Sequence, residues 1–463
     1  MSGIAGIIQH EDVSYPLYLC LHALQHRGQE AAGIATFDGT KSHVYKAPGL
    51  LSEVFSAEKL QTLPGKSGVG QVLYSDKSVR GHRENIEPLT FLFKGHCLCI
   101  SVSAALLNRD ALRAECEEAG HIFSTTSNAE LIAALAAAEL IRGTDPQQSL
   151  VRALHKLSGA YTGCAVLDGV LYAFRDPLGV KPLCIGSTAS GFAVVSESVA
   201  LDIIGGTLIR DVEAGELLAV TPDGFTSVRF AKAEHTAHCI FEYVYTARPD
   251  SVIDGVLVYD ARRRIGEALG RSAPKADLVS PVPDSGTAFA TGYAASSGVP
   301  YREGLLKNRY VGRTFIMPAQ SLRENAVRMK LNPVRRHVAD KSVVLVDDSI
   351  VRGTTSLRIV DMVRDFGARE VHMCIGSTPI IAPCYFGVDL PTRKELIGAE
   401  RSVDEICEKI HATTLTYIDK ESLVQAVGLA EEELCLACGT GEYPCRISCE
   451  KCRERKIEMM GEE

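Results

Sequence analysis

The stretch VVLVDDSIVRGTTS, residues 343–356, runs an apolar tetrapeptide into two adjacent acids, then a glycine and three hydroxyl residues. A short apolar run of this kind reads as a buried strand, and it delivers Asp347 and Asp348 at its carboxyl end. The pattern SLRIVDMVRDFGA at 356–368 predicts a helix stopped at Gly367, and REVHMCIG at 369–376 predicts the next strand. Strand, helix and strand in that order require parallel pairing. Ligands of open parallel sheets sit at the carboxyl edge of the strands. There the loop amides, the helix N-terminus and the hydroxyls of Ser349, Thr354, Thr355 and Ser356 can cradle a phosphate beside Arg352 and Gly353, while the two carboxylates can take sugar hydroxyls or Mg²⁺.

Two further segments extend this site. PVPDSGTAFATG, residues 281–292, is a second strand-to-turn stretch able to offer the amides and hydroxyls of Asp284, Ser285, Gly286 and Thr287 to another phosphate. Residues 307–336 hold Lys307, Arg309, Arg313, Arg323, Arg328, Lys330, Arg335 and Arg336 against Glu324 alone. Such a run is ordinarily a solvated face. Between a phosphate turn and an acidic strand it marks local anion binding, and two anion sites with one diol site fit a phosphoribosyl pyrophosphate donor. Nucleotide P-loops are excluded: Gly65-Lys66-Ser67 has Leu60 where the first glycine belongs, and Gly68-Val69-Gly70 has Leu73 in place of a third glycine.

Working outward, the first half reads as short strands (GIAGII at 3–8, CLCISVS at 97–103, CAVLDGVLYAFRD at 164–176) interrupted by helical patterns at 14–25 and 129–142. The character changes towards alternating helix and strand from about residue 255, and the polar AKAEHTAH places a boundary near 232. With 463 residues, 46% of them hydrophobic, each part can bury a core of its own. The 49 basic residues against 57 acidic ones give −8, which excludes the general basic excess of a non-specific nucleic-acid binder. Fifteen cysteines, an odd number, suit reduced thiols in a cytoplasmic protein, and the N-terminus carries no basic leader. With Met1 removed, Ser2 becomes the first residue.

At CIFEYVYTARPDS (239–251), PDSG (283–286), KNRYVGRTFI (307–316) and VVLVDDSIVRGTTS the chain resembles the glutamine phosphoribosylpyrophosphate amidotransferase family, and the likeness spans nearly its whole length. The resemblance implies an N-terminal-nucleophile hydrolase-like αββα glutaminase domain over 1–232. It implies a type I phosphoribosyltransferase domain with a parallel sheet over 233–463, ending in a cysteine-rich tail at 435–463. It further implies that Ser285, Asp347 and Asp348 hold a Mg²⁺-bound substrate, that 349–356 bind the 5′-phosphate and 284–287 the pyrophosphate, and that a closing flap in 307–336 carries the catalytic cations Arg313 and Lys330 beside the substrate-binding Lys307. The implied reaction gives phosphoribosylamine for purine synthesis in a homo-oligomer.

The same resemblance exposes departures in the first half. The family's free N-terminal cysteine nucleophile is Ser2 here; its glutamine-carboxylate arginine aligns with Leu73, its Asn-Gly oxyanion pair with Ser103 and Ala104, and its substrate-amine aspartate with Asn128. The expectation is a folded but silent glutaminase, hence a transferase fed by ammonia, free or delivered by a partner protein. The alternative is a non-catalytic sensor of phosphoribosyl pyrophosphate or nucleotides, or a subunit of a larger complex.

Cys435-Leu436-Ala437-Cys438 alone fits a zinc half-site or a redox pair. The resemblance adds Cys239 and Cys384, the ligand set of a [4Fe–4S] cluster in some members. Cys445, Cys449 and Cys452 form a further group outside that pattern, and the remaining cysteines read as small core residues.

Overall fold

The computed structural model describes residues 2–74, 82–272, 274–308, 330–390 and 392–447. The alternating strands of the first half form two antiparallel sheets. The larger takes, in spatial order, Thr207–Asp211, Cys184–Ser187, Gly191–Val195, Gly3–Gln9, Ser67–Leu73, Ala31–Phe37 and Ser42–Pro48. The other takes Gly224–Arg229, Glu216–Thr221, Val170–Arg175, Gly159–Leu167, His96–Leu106 and Leu89–Phe93. Their inner faces meet through Ile4, Ile8, Val69, Val166, Leu171, Val194 and Leu218, all buried. Each outer face needs its own cover. The helix Ser14–Ala23 packs Leu17 and Leu21 on the first sheet, and the helices Asn128–Ile141 and Pro146–His155 pack Leu131, Leu135, Leu150 and Leu154 on the second. These are the four αββα layers that the resemblance implies.

Beyond this sandwich, Leu278–Pro281, Ser342–Asp347, Glu370–Ile375 and Thr414–Tyr417 lie side by side in chain order and all parallel. Ser342–Asp347 is buried along its whole length because helices cover both faces. Val343 and Leu345 pack with Ile359 and Val363 of the helix Thr354–Asp365, whereas Val344 and Val346 pack with Ile265 and Phe289 of the helices Val258–Gly270 and Thr287–Ser297. The expected strand-helix-strand unit is present, and Gly367 ends its helix region at φ +98°.

The sandwich and the parallel sheet are joined by buried ions. Arg27 follows the helix Ser14–Ala23, and its guanidinium donates to Glu242 at 2.6 and 3.2 Å and, through Nε, to Glu197. Glu197 also meets His26 Nε2 at 2.6 Å and accepts from the Arg248 amide at 2.9 Å and the Ser251 hydroxyl at 2.7 Å. Burial opposes ionisation of Glu197, but Arg27 and His26 outweigh it and hold its carboxyl well below the usual range. A second joint pairs the buried Arg175 with Asp254 at 2.7 and 2.9 Å.

Replacing Arg27 by Met would leave two buried carboxylates without their cation. The expected loss is about 3–5 kcal/mol of unfolding free energy, seen as a lower urea midpoint, and a midpoint equal to that of the unsubstituted chain would contradict the assignment.

Candidate active site at the parallel-sheet edge

Asp347 ends its strand and Asp348 begins the following loop, with 8% and 7% of their surfaces exposed. The Asp348 amide donates to Asp347 Oδ1 at 2.9 Å, and Ser349 Oγ donates to Asp348 Oδ1 at 2.6 Å. Burial, then the neighbouring Asp348 charge, pushes the Asp347 carboxyl well above the usual range. Burial also raises Asp348, against hydrogen bonds from Ser285 and Ser349 and the nearby Arg262 charge. Two adjacent buried acids whose ionisation burial opposes form a site suited to a cation.

The turn 284–287 reaches this pair because Gly286 has no side chain: a Cβ there would lie 2.2 Å from the Val346 carbonyl oxygen. Thr287 opens the helix Thr287–Ser297. On the other side Gly353, at φ +77°, turns the chain into the helix Thr354–Asp365. The hydroxyl residues Thr354 and Thr355 are exposed there and Ser356 is buried, beside first-turn amides that a helix leaves unpaired by its own bonding. The structure thus gathers Asp284 to Thr287, Asp347 to Ser349 and Arg352 to Ser356 at one sheet edge.

Two of the expected substrate cations are held by carboxylates. Lys307 Nζ meets Asp284 Oδ2 at 2.5 Å, and Arg352 meets Glu395 at 2.7 and 3.0 Å. Both pairs are exposed, so exchange for phosphate oxygens costs little. Lys330 stands beside Lys307, where its carbonyl accepts from the Asn308 amide at 2.8 Å at the end of the small hairpin Leu305–Lys307 and Leu331–Pro333. Arg313, with residues 309–329, lies outside the described residues.

Sequence reasoning assigned no role to Tyr245 or Arg262. Tyr245 belongs to one wide π-type turn, Glu242–Thr246, and is 58% exposed; local desolvation of its hydroxyl, then the charges of Asp348 and Asp347, raise it. Arg262 is buried behind it. Nothing in the local pattern signals a π-type turn, so neither neighbour of the acidic pair was legible.

The altered positions of the first half are also brought together. Ser2 is buried, and its Oγ accepts from the Tyr74 amide at 3.2 Å, next to Leu73 at the end of its strand. Asn128 Nδ2 donates to the Ala104 carbonyl at 3.1 Å, adjacent to Ser103. Gln71 links the two groups by donating to Val102 O at 2.7 Å and to Glu87 at 2.9 Å. Glu87 also accepts from the Val102 amide and the Ser127 hydroxyl, and burial raises its carboxyl to about 7. None of Ser2, Leu73, Ser103, Ala104 and Asn128 has a charged side chain.

The four cysteines share one neighbourhood. Cys239 lies opposite Cys435 in a short parallel pairing, and the Cys438 carbonyl accepts from the amides of Ile381 and Ala382, just before Cys384. Burial raises the thiols of Cys239, Cys435 and Cys438, and the charges of neighbouring cysteines add to it. Among the described residues no group of three or more His, Cys, Asp or Glu is arranged to hold a metal ion. Cys445 packs at the edge of this neighbourhood, while Cys449 and Cys452 lie outside the described residues.

A parallel sheet with a twin-acid edge, a glycine-pinned turn and a helix N-terminus defines a phosphoribosyltransferase-type site, here joined to a glutaminase-type sandwich. Comparison with known proteins agrees on both parts. A family model described as a glutamine amidotransferase domain matches residues 76–202. An amidophosphoribosyltransferase of Archaeoglobus fulgidus is 48% identical over 459 residues, 98% of this chain and all of that protein. The Bacillus subtilis amidophosphoribosyltransferase is 43% identical over 96% of this chain and 94% of its own. A solved structure, a glutamine phosphoribosylpyrophosphate amidotransferase from B. subtilis complexed with ADP and GMP, superposes with a TM-score of 0.91 at 42% identity, covering 97% of this chain and 98% of its own. The chain belongs to the amidophosphoribosyltransferase family.

The acidic pair supplies a test. Carboxyl groups whose pKa is raised on folding cost stability as pH rises from the ordinary carboxylate range through the folded value. Asp347→Asn removes that cost and keeps an oxygen for the Asp348 amide. Its stability at pH 7 should be no lower than that of the unsubstituted chain by urea titration, and calorimetry should show loss of phosphoribosyl pyrophosphate binding in Mg²⁺. A variant that binds as before would remove Asp347 from the site.

Proposed function

We propose that the chain transfers an amino group to C1 of phosphoribosyl pyrophosphate, with ammonia as the nitrogen source and with residues 1–232 acting as a silent glutaminase domain attached to the transferase of 233–463. One observation carries this reading: the sheet edge keeps its twin acids, turn and helix N-terminus, whereas Ser2, Leu73, Ser103, Ala104 and Asn128 present no charged side chain to an amino-acid substrate. In the reaction the C1–O bond to pyrophosphate breaks, a C1–N bond forms, and the nitrogen gives up a proton. Asp347, Asp348 and Ser285 fit a divalent cation, since two adjacent buried carboxyls whose ionisation burial opposes gain most from one; Mg²⁺ bound there would supply charge stabilisation for the pyrophosphate oxygens. Lys307 and Arg352, released from Asp284 and Glu395, serve the anionic groups of the donor. Arg313 and Lys330 are assigned to the same charge in the closed site.

Glutamine chemistry lacks support from the altered residues. A serine hydroxyl is a weaker nucleophile than a thiol. Loss of one oxyanion donor alone typically costs about 10²–10³ in turnover. Cys239 and Cys435, buried, and Cys384 and Cys438, half-buried, are not drawn together as a metal-holding group, but four thiols in one neighbourhood are the ligand type of a structural [4Fe–4S] cluster, which is the reading proposed for them. A cytoplasmic homo-oligomer completes the reading. Among the described residues no helix is long and apolar enough to cross a membrane.

Pyrophosphate release followed with Mg²⁺ and glutamine, ammonium or no amine decides the nitrogen source. Ammonium should support turnover, and glutamine should yield glutamate at a rate lower by at least about 10²; glutamate formed in step with pyrophosphate would overturn the silent-glutaminase reading. Anaerobically purified protein should contain about four iron and four acid-labile sulfide per chain, lost in Cys438→Ser. Stoichiometric zinc without sulfide would refute the cluster.

A further inference from the structure

The wide turn Glu242–Thr246 is closed on itself by the Ala247 amide donating to the Glu242 carbonyl at 3.2 Å. A single turn of this type has carbonyls that its own backbone does not satisfy, and such turns recur at functional sites. Here Arg262, 3% exposed, donates from Nε to the Tyr243 carbonyl at 2.7 Å and from a terminal nitrogen to the Ala247 carbonyl at 2.8 Å. The fork therefore spans the turn from its second residue to its exit. Tyr243, Val244 and Ala247 of this stretch pack in one buried cluster with Val344 and Val346, so the turn lies against the strand that ends at Asp347, while Tyr245, between the two held carbonyls, is 58% exposed. Arg27 holds the turn's first side chain, Glu242, from the sandwich side.

We infer that Arg262 is a positioning residue for the sugar-phosphate site: its forked guanidinium holds the turn 242–246 against the strand that carries the twin acids, so that binding of the donor depends on a residue that need not touch it. The inference rests on the proposed reaction for its ligand, and on the two hydrogen bonds and the shared buried cluster for its mechanism. Lysine is not equivalent, because one ammonium on a flexible stem does not reproduce a planar fork across two carbonyls.

The chain contains no tryptophan, so Tyr245→Trp places a sole indole on the turn. In the full-length protein carrying that reporter, Arg262→Gln should lower the fluorescence anisotropy of the indole, because both carbonyl contacts that hold the turn are lost. Without the reporter, Arg262→Gln should weaken phosphoribosyl pyrophosphate binding in Mg²⁺ about tenfold by calorimetry, the scale of one charged hydrogen bond. The loss should exceed any fall in kcat with ammonium, and Arg262→Lys should lie between the two proteins. Far-UV circular dichroism and urea titration establish the folded fraction, which a purely structural role would track; if Arg262→Gln does not fold, Arg262→Lys carries both measurements. Unchanged anisotropy, or binding lost only in proportion to unfolded protein, overturns the inference. An unsubstituted chain that neither binds nor turns over the donor overturns the proposed function instead, while the anisotropy still reports on Arg262.

Discussion

The Arg27 guanidinium, shared between Glu197 and Glu242, is the constraint on which the arrangement of the molecule depends. A cation buried this deeply is tolerable only where carboxylates and hydrogen bonds compensate its lost hydration. The compensation comes from two remote parts of the chain. Glu197 follows a strand of the sandwich, and Glu242 opens the wide turn beside the parallel sheet. Because neither acid can be buried without the arginine, the sandwich and the transferase sheet are locked at one point. Around it lie His26, Arg248 and Ser251, so the lock also fixes the segment that leads into the helix Val258–Gly270.

From that lock the transferase edge is built by close approach. Gly286 lets one turn touch the carbonyl before Asp347, and Gly353 turns the chain into the helix that opens the phosphate side. The sandwich side shows the reverse case. Among the described residues its two sheets and covering helices close a full inner core, and the polar network of Gln71, Glu87 and Ser127 ties the sheets together, while Ser2, Leu73, Ser103, Ala104 and Asn128 have uncharged side chains. Packing here draws on residues other than those five.

Legibility followed how local each feature is. The acidic strand, its helix and Gly367 could be read because a strand of period two and a helix of period 3.6 leave their pattern within a dozen residues. The residues of the sheet edge were also legible, since Asp347 to Ser356 and Asp284 to Thr287 are contiguous strings whose chemistry is evident in order. Hidden were the contacts that close over long separations: Arg27 with Glu242, Arg175 with Asp254, Lys307 with Asp284, and Arg262 across the wide turn.

By itself, then, the sequence determined the two architectures, the acidic sheet edge and the missing charges of the glutaminase positions, since each is written in neighbouring side chains. Only the tertiary structure decided which carboxylate each buried cation meets, that Cys239 faces Cys435, and that Tyr245 and Arg262 border the twin acids. The physical reason is that desolvated charges and thiols take their character from whatever the fold sets against them, and those neighbours come from parts of the chain up to hundreds of residues away.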